Sequence, residues 1–257
     1  MIRVFTAFSG YDSQCLALDR LRRDFPPFQY RLVGWSEIDR CAIQAHNALF
    51  PDAAQLNFGD IGKIDWAAVP DFDLFTYSFP CQDISAAGLQ RGFDRHGGTR
   101  SGLLWECEKA IAAKRPKFLL MENVKALVTK KFKPLFLEWL TLLQSYGYTS
   151  HWQVLNAKDF GVPQNRERVF AVSILGDGRF TFPAGWPLRL TLDDVLEDEV
   201  DDKYRLSNER INGLLQSTIK ELQNKNGYTF RVKKKAQSPP PSQASAGGVD
   251  TDSIKSG

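Results

Sequence analysis

The chain has 257 residues, of which 43% are hydrophobic and 25% are charged, and its formal net charge is +3. These values are typical of a globular protein with one well-filled domain and an appendage, and so small a charge permits a polyanionic partner without requiring one. The four cysteines form no CxxC pair and the three histidines are scattered, so we expect no metal site and no disulfide framework. Without a signal-peptide pattern or an apolar run near ~20 residues, the sequence predicts a cytoplasmic protein with no membrane contact.

Apolar runs of strand length alternate along the chain with stretches of helical spacing. Strands are predicted at 2–8, 30–35, 71–77, 117–121, 151–155 and 169–175, and helices at 15–21, 42–49, 103–113 and 132–144. This alternation is typical of βαβ units. The sequence therefore predicts an α/β fold with a mainly parallel sheet.

The character of the chain changes after residue 175. Turn-rich segments and an acidic stretch follow, then the spacing of an amphipathic helix at 211–222, and finally a tail rich in Ser, Pro, Gly and Ala. We therefore expect a compact domain at 1–175, a linker with the start of a variable region at 176–235, and a disordered tail at 236–257. The basic run at 231–235 is either a phosphate contact or a solvated surface.

Three polar clusters lie at the ends of predicted strands. Cys81 follows the third strand, Glu122 follows the fourth, and residues 164–168 precede the last one. Ligands of open α/β sheets bind at the carboxyl ends of the strands. A lone cysteine is more often a small buried hydrophobic residue, and a lone glutamate is more often a helix cap. The three clusters together favour a catalytic site.

Read in order, the segments SFPCQ, ENV and QNRER resemble motifs of the DNA cytosine-5 methyltransferase family of bacteria and phages. The resemblance extends from about residue 4 to residue 175. It implies a Rossmann-like S-adenosylmethionine-dependent methyltransferase fold, with helices on both faces of the sheet. It also implies transfer of a methyl group from S-adenosylmethionine to carbon 5 of cytosine in double-stranded DNA, with S-adenosylhomocysteine as the product, in a restriction-modification or other modification system.

The same resemblance assigns the chemistry to individual residues. Cys81 is the candidate nucleophile that adds to carbon 6 of the ring, since carbon 5 alone is too poor a nucleophile. Glu122 is the candidate acid at ring N3, with Asn123 anchoring its loop. Arg168 is expected to contact the base and Arg166 to support it. The target base must leave the duplex, and the Gly-rich segment 83–101 is expected to close over it.

The resemblance also indicates where the cofactor binds. Phe8, Ser9 and Gly10 match the start of the family's glycine-rich turn, although the chain continues with Tyr-Asp-Ser where one residue and two further glycines are usual. Glu37 matches the carboxylate that binds the ribose hydroxyls. The remaining contacts are expected from Asp60 and Ile61 at the adenine, and from Phe79, Pro80 and Leu103 along the wall.

Three features of a complete family member have no counterpart after residue 175: a target-recognition domain, a further arginine motif and a final helix that completes the cofactor pocket. This predicts either a split enzyme, whose second subunit supplies target recognition and the final helix, or a truncated relic. Two other functions remain open. One is a cytosine-5 methyltransferase acting on tRNA, and the other is a cofactor- or DNA-binding protein without catalysis.

Overall fold

The structure is a computed structural model that describes residues 1–81 and 100–226 of the chain. The predicted tail at 236–257 and nearly all of the predicted lid at 83–101 lie outside the described residues. Two compact units are present, Met1–Leu196 and Glu197–Gly257. The boundaries predicted after residues 175 and 235 stay predictions, although the last strand of the sheet does end at Leu175.

Within the described residues of the first unit, strands and helices alternate as the sequence predicts. The strands are β1 (Ile2–Ala7), β2 (Tyr30–Ser36), β3 (Leu74–Tyr77), β4 (Phe118–Val124), β5 (Tyr148–Asn156) and β6 (Glu167–Leu175). The helices are α1 (Ser13–Asp24), α2 (Arg40–Leu49), α3 (Leu104–Lys114) and α4 (Lys133–Ser145). This confirms the predicted α/β class.

The six strands form one sheet in the order β2-β1-β3-β4-β6-β5. Strands β2, β1, β3 and β4 are parallel to one another, whereas β6 is antiparallel to both β4 and β5. Because β6 alone of these six strands runs in reverse, its first residues lie at the same edge of the sheet as the last residues of β3 and β4. This places the three polar clusters predicted from the sequence at one edge.

Two strand ends differ from the sequence prediction. The sequence predicts a strand at 117–121 followed by a polar loop, but β4 continues to Val124, so that Glu122 and Asn123 belong to the strand. Likewise β6 begins at Glu167 and includes Arg168. The cause is cross-strand pairing, since Asn123 pairs with Val169 and Val124 with Arg168, and backbone hydrogen bonding outweighs the polarity of the side chains.

The core covers both faces of the central strands. Residues 4–7 of β1 are consecutive and all buried, which requires apolar cover on each face because successive side chains point in opposite directions. An aromatic cluster surrounds Phe5, whose ring centroid lies 5.2 Å from that of Trp66 and 5.3 Å from that of Phe72. Elsewhere in the core the buried Trp139 indole N–H donates to the Tyr77 hydroxyl at 3.1 Å.

The second unit contains the helix predicted at 211–222. This helix, α5, spans Asn208–Asn226, and Ile211, Leu214 and Leu215 on it are exposed. In the described part of the chain, no helix is both long and apolar enough to cross a membrane.

Gly34 marks a close contact between β2 and the core. The register of β1 against β2 shifts between Val4 and Phe5, and a Cβ atom at Gly34 would lie 2.7 Å from the Phe5 ring and 2.8 Å from the Phe58 ring. We expect Gly34→Ala to lower the free energy of unfolding by about 1–3 kcal/mol, because the rings must move apart. Chemical denaturation measures this change.

Gly62→Ala is the matched control. A Cβ atom there would meet its nearest neighbour, an Asp60 carboxylate oxygen, at an ordinary 3.5 Å. It should change stability by less than about 0.5 kcal/mol. Equal losses for the two variants would show that contact with Phe5 and Phe58 is not the cause.

Candidate active site

The Cys81 segment leaves the sheet at the end of β3 and is held by backbone and side-chain hydrogen bonds. The Ser78 amide donates to the Ala7 carbonyl at 3.4 Å, and the buried Asn123 side chain donates to the Phe79 carbonyl at 3.0 Å. Pro80 then fixes one backbone angle directly before the cysteine. Cys81 itself is partly exposed. Asn123 therefore connects the end of β4 to the segment that presents this thiol.

The other cysteines are in different surroundings. Cys15 and Cys107 are fully buried, and burial raises the pKa of both thiols well above the usual range. Cys41 is exposed in the first turn of α2. Thiolate chemistry requires access and ionisation, which leaves Cys41 and Cys81. Of these two, only Cys81 follows β3 and is linked through Asn123 to the strand that bears Glu122.

Glu122 and Arg168 form an ion pair across the β4–β6 ladder. The Arg168 Nε atom lies 3.0 Å from Glu122 Oε1, and about a quarter of each side chain is exposed. A second guanidinium nitrogen of Arg168 donates to the Glu167 carbonyl at 2.8 Å. The pair is therefore fixed on two neighbouring strands, with one face open to the solvent.

Asn156 organises the turn that leads into β6. Its side-chain oxygen accepts from the Arg166 amide at 3.0 Å, and its amide group donates to the Asn165 side chain at 2.7 Å. The Arg166 side chain is exposed and lines the same cavity as Gln164. Sequence reasoning missed Asn156, because a lone Asn at a strand end is common.

The cofactor turn predicted at Phe8, Ser9 and Gly10 follows β1 and meets Glu37 at the end of β2. Phe8 and Gly10 both have positive φ, 55° and 58°, and a Cβ atom at Gly10 would find no neighbour within 4 Å. The Gly10 amide donates to Glu37 Oε2 at 3.0 Å. The other Glu37 oxygen accepts from the amides of residues 38 and 39. The structure thus brings the turn and the predicted ribose ligand together.

Of the three residues that follow Gly10, Asp12 does not fill this turn, whereas Tyr11 and Ser13 line the cavity beside it. Asp12 is completely buried and faces inward, with its carboxylate accepting from Thr6 Oγ1 at 2.7 Å and from the Cys15 amide at 3.0 Å. Thr6 also contacts Ser9 Oγ at 2.8 Å. The buried His46 ring lies 3.7 Å from Asp12, beyond hydrogen-bond range, and stacks on Trp35. The outward surface at Gly10 is left open.

The predicted adenine contacts, Asp60 and Ile61, follow a second turn, which contains Asn57 and Gly59. The Asn57 side chain fixes this turn because it accepts from the amides of Glu37 and Gly59 and donates to the Glu37 carbonyl. The sequence did not reveal this role. Asp60 then caps the 3₁₀ turn Ile61–Lys63. Of the remaining predicted wall, Ile61 and Phe79 are buried in the core, and Leu103 packs against it next to Leu104.

A cavity of about 980 Å³ opens on this edge of the sheet. It is lined by the cofactor turn and the first turns of α1, by side chains of β3, β4 and β6, and by the turn before β6. Of the site residues predicted from the sequence, the lining includes Phe8, Ser9, Glu122, Arg166 and Arg168. The others lie outside the lining: Gly10, Glu37, Asp60, Ile61, Phe79, Pro80, Cys81 and Leu103.

A model of the C-5 cytosine-specific DNA methylases matches residues 2–253. The chain belongs to the C-5 cytosine-specific DNA methylase family. This confirms the resemblance seen in the three sequence motifs. The type II methyltransferase M2.ScrFI of Lactococcus lactis subsp. cremoris is 41% identical over 263 residues, which cover 82% of this chain and 72% of the relative. M1.ScrFI of the same organism is 38% identical over 202 residues, which cover 77% and 50%.

The fold agrees with that of solved methyltransferases. The S. pombe Dnmt2 methyltransferase superposes with a TM-score of 0.57 at 20% identity, and the match covers 90% of this chain and 67% of that one. This confirms the predicted Rossmann-like methyltransferase fold, and methylation in this family uses S-adenosylmethionine. The two type II methylases named above are longer than their aligned parts, and this chain spans 72% and 50% of their lengths.

The four thiols should differ in reactivity. In the native protein, iodoacetamide should label Cys41 and Cys81 but not Cys15 or Cys107, because burial keeps the last two protonated and out of reach. Peptide mass spectrometry locates the label. The variant Cys81→Ser should lose one labelled site and retain the other. Rapid labelling of Cys15 in the native state would contradict the described burial.

The buried Asp12 carboxylate should stabilise the turn more than an ordinary helix cap does. Asp12 and Asp39 both cap helices through their side chains, but Asp12 has a positive φ of 64° and a second bond to Thr6, whereas Asp39 is exposed and extended. Asp39→Ala should cost about 1 kcal/mol of unfolding free energy, and Asp12→Ala about 2–3 kcal/mol. Urea denaturation compares the two. Equal costs would refute the special role of Asp12.

Proposed function

We propose that this chain methylates carbon 5 of cytosine in double-stranded DNA, with S-adenosylmethionine as the methyl donor. The observation that carries the proposal is the Glu122–Arg168 pair at the same sheet edge as the Cys81 segment, which Asn123 fixes to β4. The reaction requires a nucleophile, an acid and a cation, and here each of them is held by a different segment of the backbone.

The proposed chemistry begins at the thiol. The Cys81 thiolate forms a bond to carbon 6 of the ring, and the negative charge that this leaves is offset by a hydrogen bond between the Glu122 carboxyl group and N3. Arg168 orients Glu122 and contacts the base, and Arg166 supports that contact. Carbon 5 then takes the methyl group from S-adenosylmethionine, which leaves as S-adenosylhomocysteine. A solvent water molecule takes the proton from C5, the electrons of that C–H bond restore the C5–C6 double bond, and the bond between C6 and sulfur breaks, which returns Cys81 as a thiolate.

S-adenosylmethionine supplies an electrophilic methyl group when it is bound. The residues present fit such a ligand, because Gly10 leaves open space at its α-carbon and the Glu37 carboxylate is already fixed by three backbone amides. We propose that Phe8, Ser9 and Gly10 contact the methionine part and that Glu37 binds the ribose. Asp60, Ile61, Phe79, Pro80 and Leu103 complete the proposed cofactor site.

The substrate base must leave the duplex, because the Cys81 thiol cannot reach C6 of a stacked cytosine. Unstacking costs a few kcal/mol, which binding of the flipped base and of the flanking phosphates has to offset. The cavity beside Glu122 and Arg168 is the proposed place for the flipped base.

We also propose that a second subunit completes the enzyme. The cavity extends over Leu18, Leu74 and Leu120, apolar side chains whose exposure in an open cavity is unfavourable. A helix from another chain would cover them and close the cofactor pocket. The aligned region spans 72% of one relative and 50% of another.

The decisive measurement is bisulfite sequencing of DNA from a methylation-free bacterium that expresses this chain, with and without the neighbouring reading frame. Methylcytosine at a fixed sequence is expected, and it should be absent from cells that express Cys81→Ser. Methylation only upon co-expression supports the second subunit. Methylation by the chain alone refutes that subunit, and methylation in neither case supports a relic.

The alternative substrate, transfer RNA, is tested directly. The same preparation is offered a duplex and a tRNA pool, and methyl incorporation into each is measured. Faster transfer to tRNA would overturn the assignment to DNA.

Glu122 is expected to act in the chemical step and not in folding. Glu122→Gln should lower the rate of methyl transfer by about 10²–10⁴-fold, since the amide cannot share a proton with N3. Thermal stability should change little. The matched control is Glu138→Gln, an exposed glutamate on α4, which should retain full activity. The rates are compared by incorporation of labelled methyl groups at saturating DNA.

A further inference from the structure

Four lysines follow the Glu122-Asn123-Val124 segment within nine residues. They are Lys125, Lys130, Lys131 and Lys133, which we call the lysine surface, and all four are exposed. No aspartate or glutamate occurs between residue 122 and residue 138. Since the whole chain carries a formal charge of only +3, this segment concentrates positive charge far above the average.

The fold fixes this segment at the edge that carries the candidate active site. β4 ends at Val124, the 3₁₀ turn Lys125–Val128 follows directly, and α4 begins at Lys133. Leu127 is completely buried and Phe132 is nearly so, which holds the backbone on both sides of Lys130 and Lys131. The lysine surface is therefore an anchored part of the first unit, directly adjoining the strand that bears Glu122.

The side chains are oriented as well. Lys125 Nζ lies 2.7 Å from Glu167, the first residue of β6. The ammonium groups of Lys131 and Lys133 lie 5.1 Å and 5.6 Å from the ring centroids of Phe132 and Trp152. An ammonium group that lies over an aromatic ring is already partly ordered, so it loses less entropy on binding an anion.

The opposite edge of the sheet shows a different pattern. There Arg3 is paired with Asp73 at 2.9 Å, and Lys114 with Asp71 at 3.3 Å, so that the segment before β3 supplies acidic partners for positive charges. The segment of the lysine surface supplies four positive charges and no carboxylate of its own. The segment therefore carries a local excess of positive charge beside the candidate active site, although Glu167 of β6 offsets the charge of Lys125.

We propose that the lysine surface binds phosphates of the DNA strand that flank the cytosine entering the site. The proposal rests on the proposed function, because it assumes that duplex DNA meets this edge. Phosphate contacts position a protein on DNA without reading the sequence, so this surface can act before any target-recognition region engages. The rival explanation is an ordinary solvated surface, in which only the net charge of the protein matters.

A pair of equally charged variants separates these explanations. Lys130→Gln with Lys131→Gln removes two charges from the lysine surface. Lys109→Gln with Lys117→Gln removes two charges elsewhere, since Lys109 is exposed on α3 and Lys117 precedes β4 at its amino end. The affinity for a fluorescent duplex is measured by anisotropy over a series of salt concentrations, with the complete protein and its partner chain if one is required.

If the proposal is right, the first pair weakens binding and makes it less dependent on salt. The magnitude of the slope of log K against log salt falls by about 1.8, or about 0.9 for each phosphate that is no longer neutralised. The second pair should match the unchanged protein. Equal effects of the two pairs, or no effect of either, would overturn the proposal. Failure of the proposed function is seen separately, as the absence of Cys81-dependent methylcytosine.

Discussion

The antiparallel pairing of β6 with β4 is the constraint on which the candidate site depends. Parallel strands alone would bring only the Cys81 segment and Glu122 to the carboxyl edge, and residues that precede a parallel strand would lie at the far edge of the sheet. Because β6 is reversed, Arg168 stands opposite Val124 and reaches Glu122 at 3.0 Å. Backbone hydrogen bonds along the ladder, and not flexible loops, therefore set the distance between acid and cation.

The cofactor turn shows how a buried side chain can substitute for missing glycines. A glycine pair frees a turn by removing side chains, whereas Asp12 takes up a positive φ and directs its carboxylate into the protein. Asp tolerates this conformation better than most residues because its short side chain can bond locally. The cost of burying a carboxylate is offset by Thr6 and the Cys15 amide.

Much of the fold could be predicted because apolar runs and helical spacing report burial directly. The sheet class and the site edge followed from residue type and order. The family resemblance assigned Gly10 and Glu37 to the cofactor site, but the hydrogen bond between them was not predicted. The extension of β4 through Glu122 could not be predicted, because the polarity of these residues suggested a loop. Only pairing with β6, which is distant in the sequence, explains why they form a strand. Asn57 and Asn156 were missed for a related reason. Their importance lies in backbone groups brought close by the fold, which a single sequence does not display.

The sheet order also has a consequence for the time at which the site forms. β5 precedes β6 in the chain, yet among the described strands it pairs with β6 alone, which inserts between β4 and β5. As the protein leaves the ribosome, β1 to β4 can associate, but β5 has no strand to pair with until β6 has been made. The candidate acid and its cation therefore meet in the last step of sheet assembly. A nascent or interrupted chain that ends before β6 exposes an unpaired edge at β4 and has no assembled site.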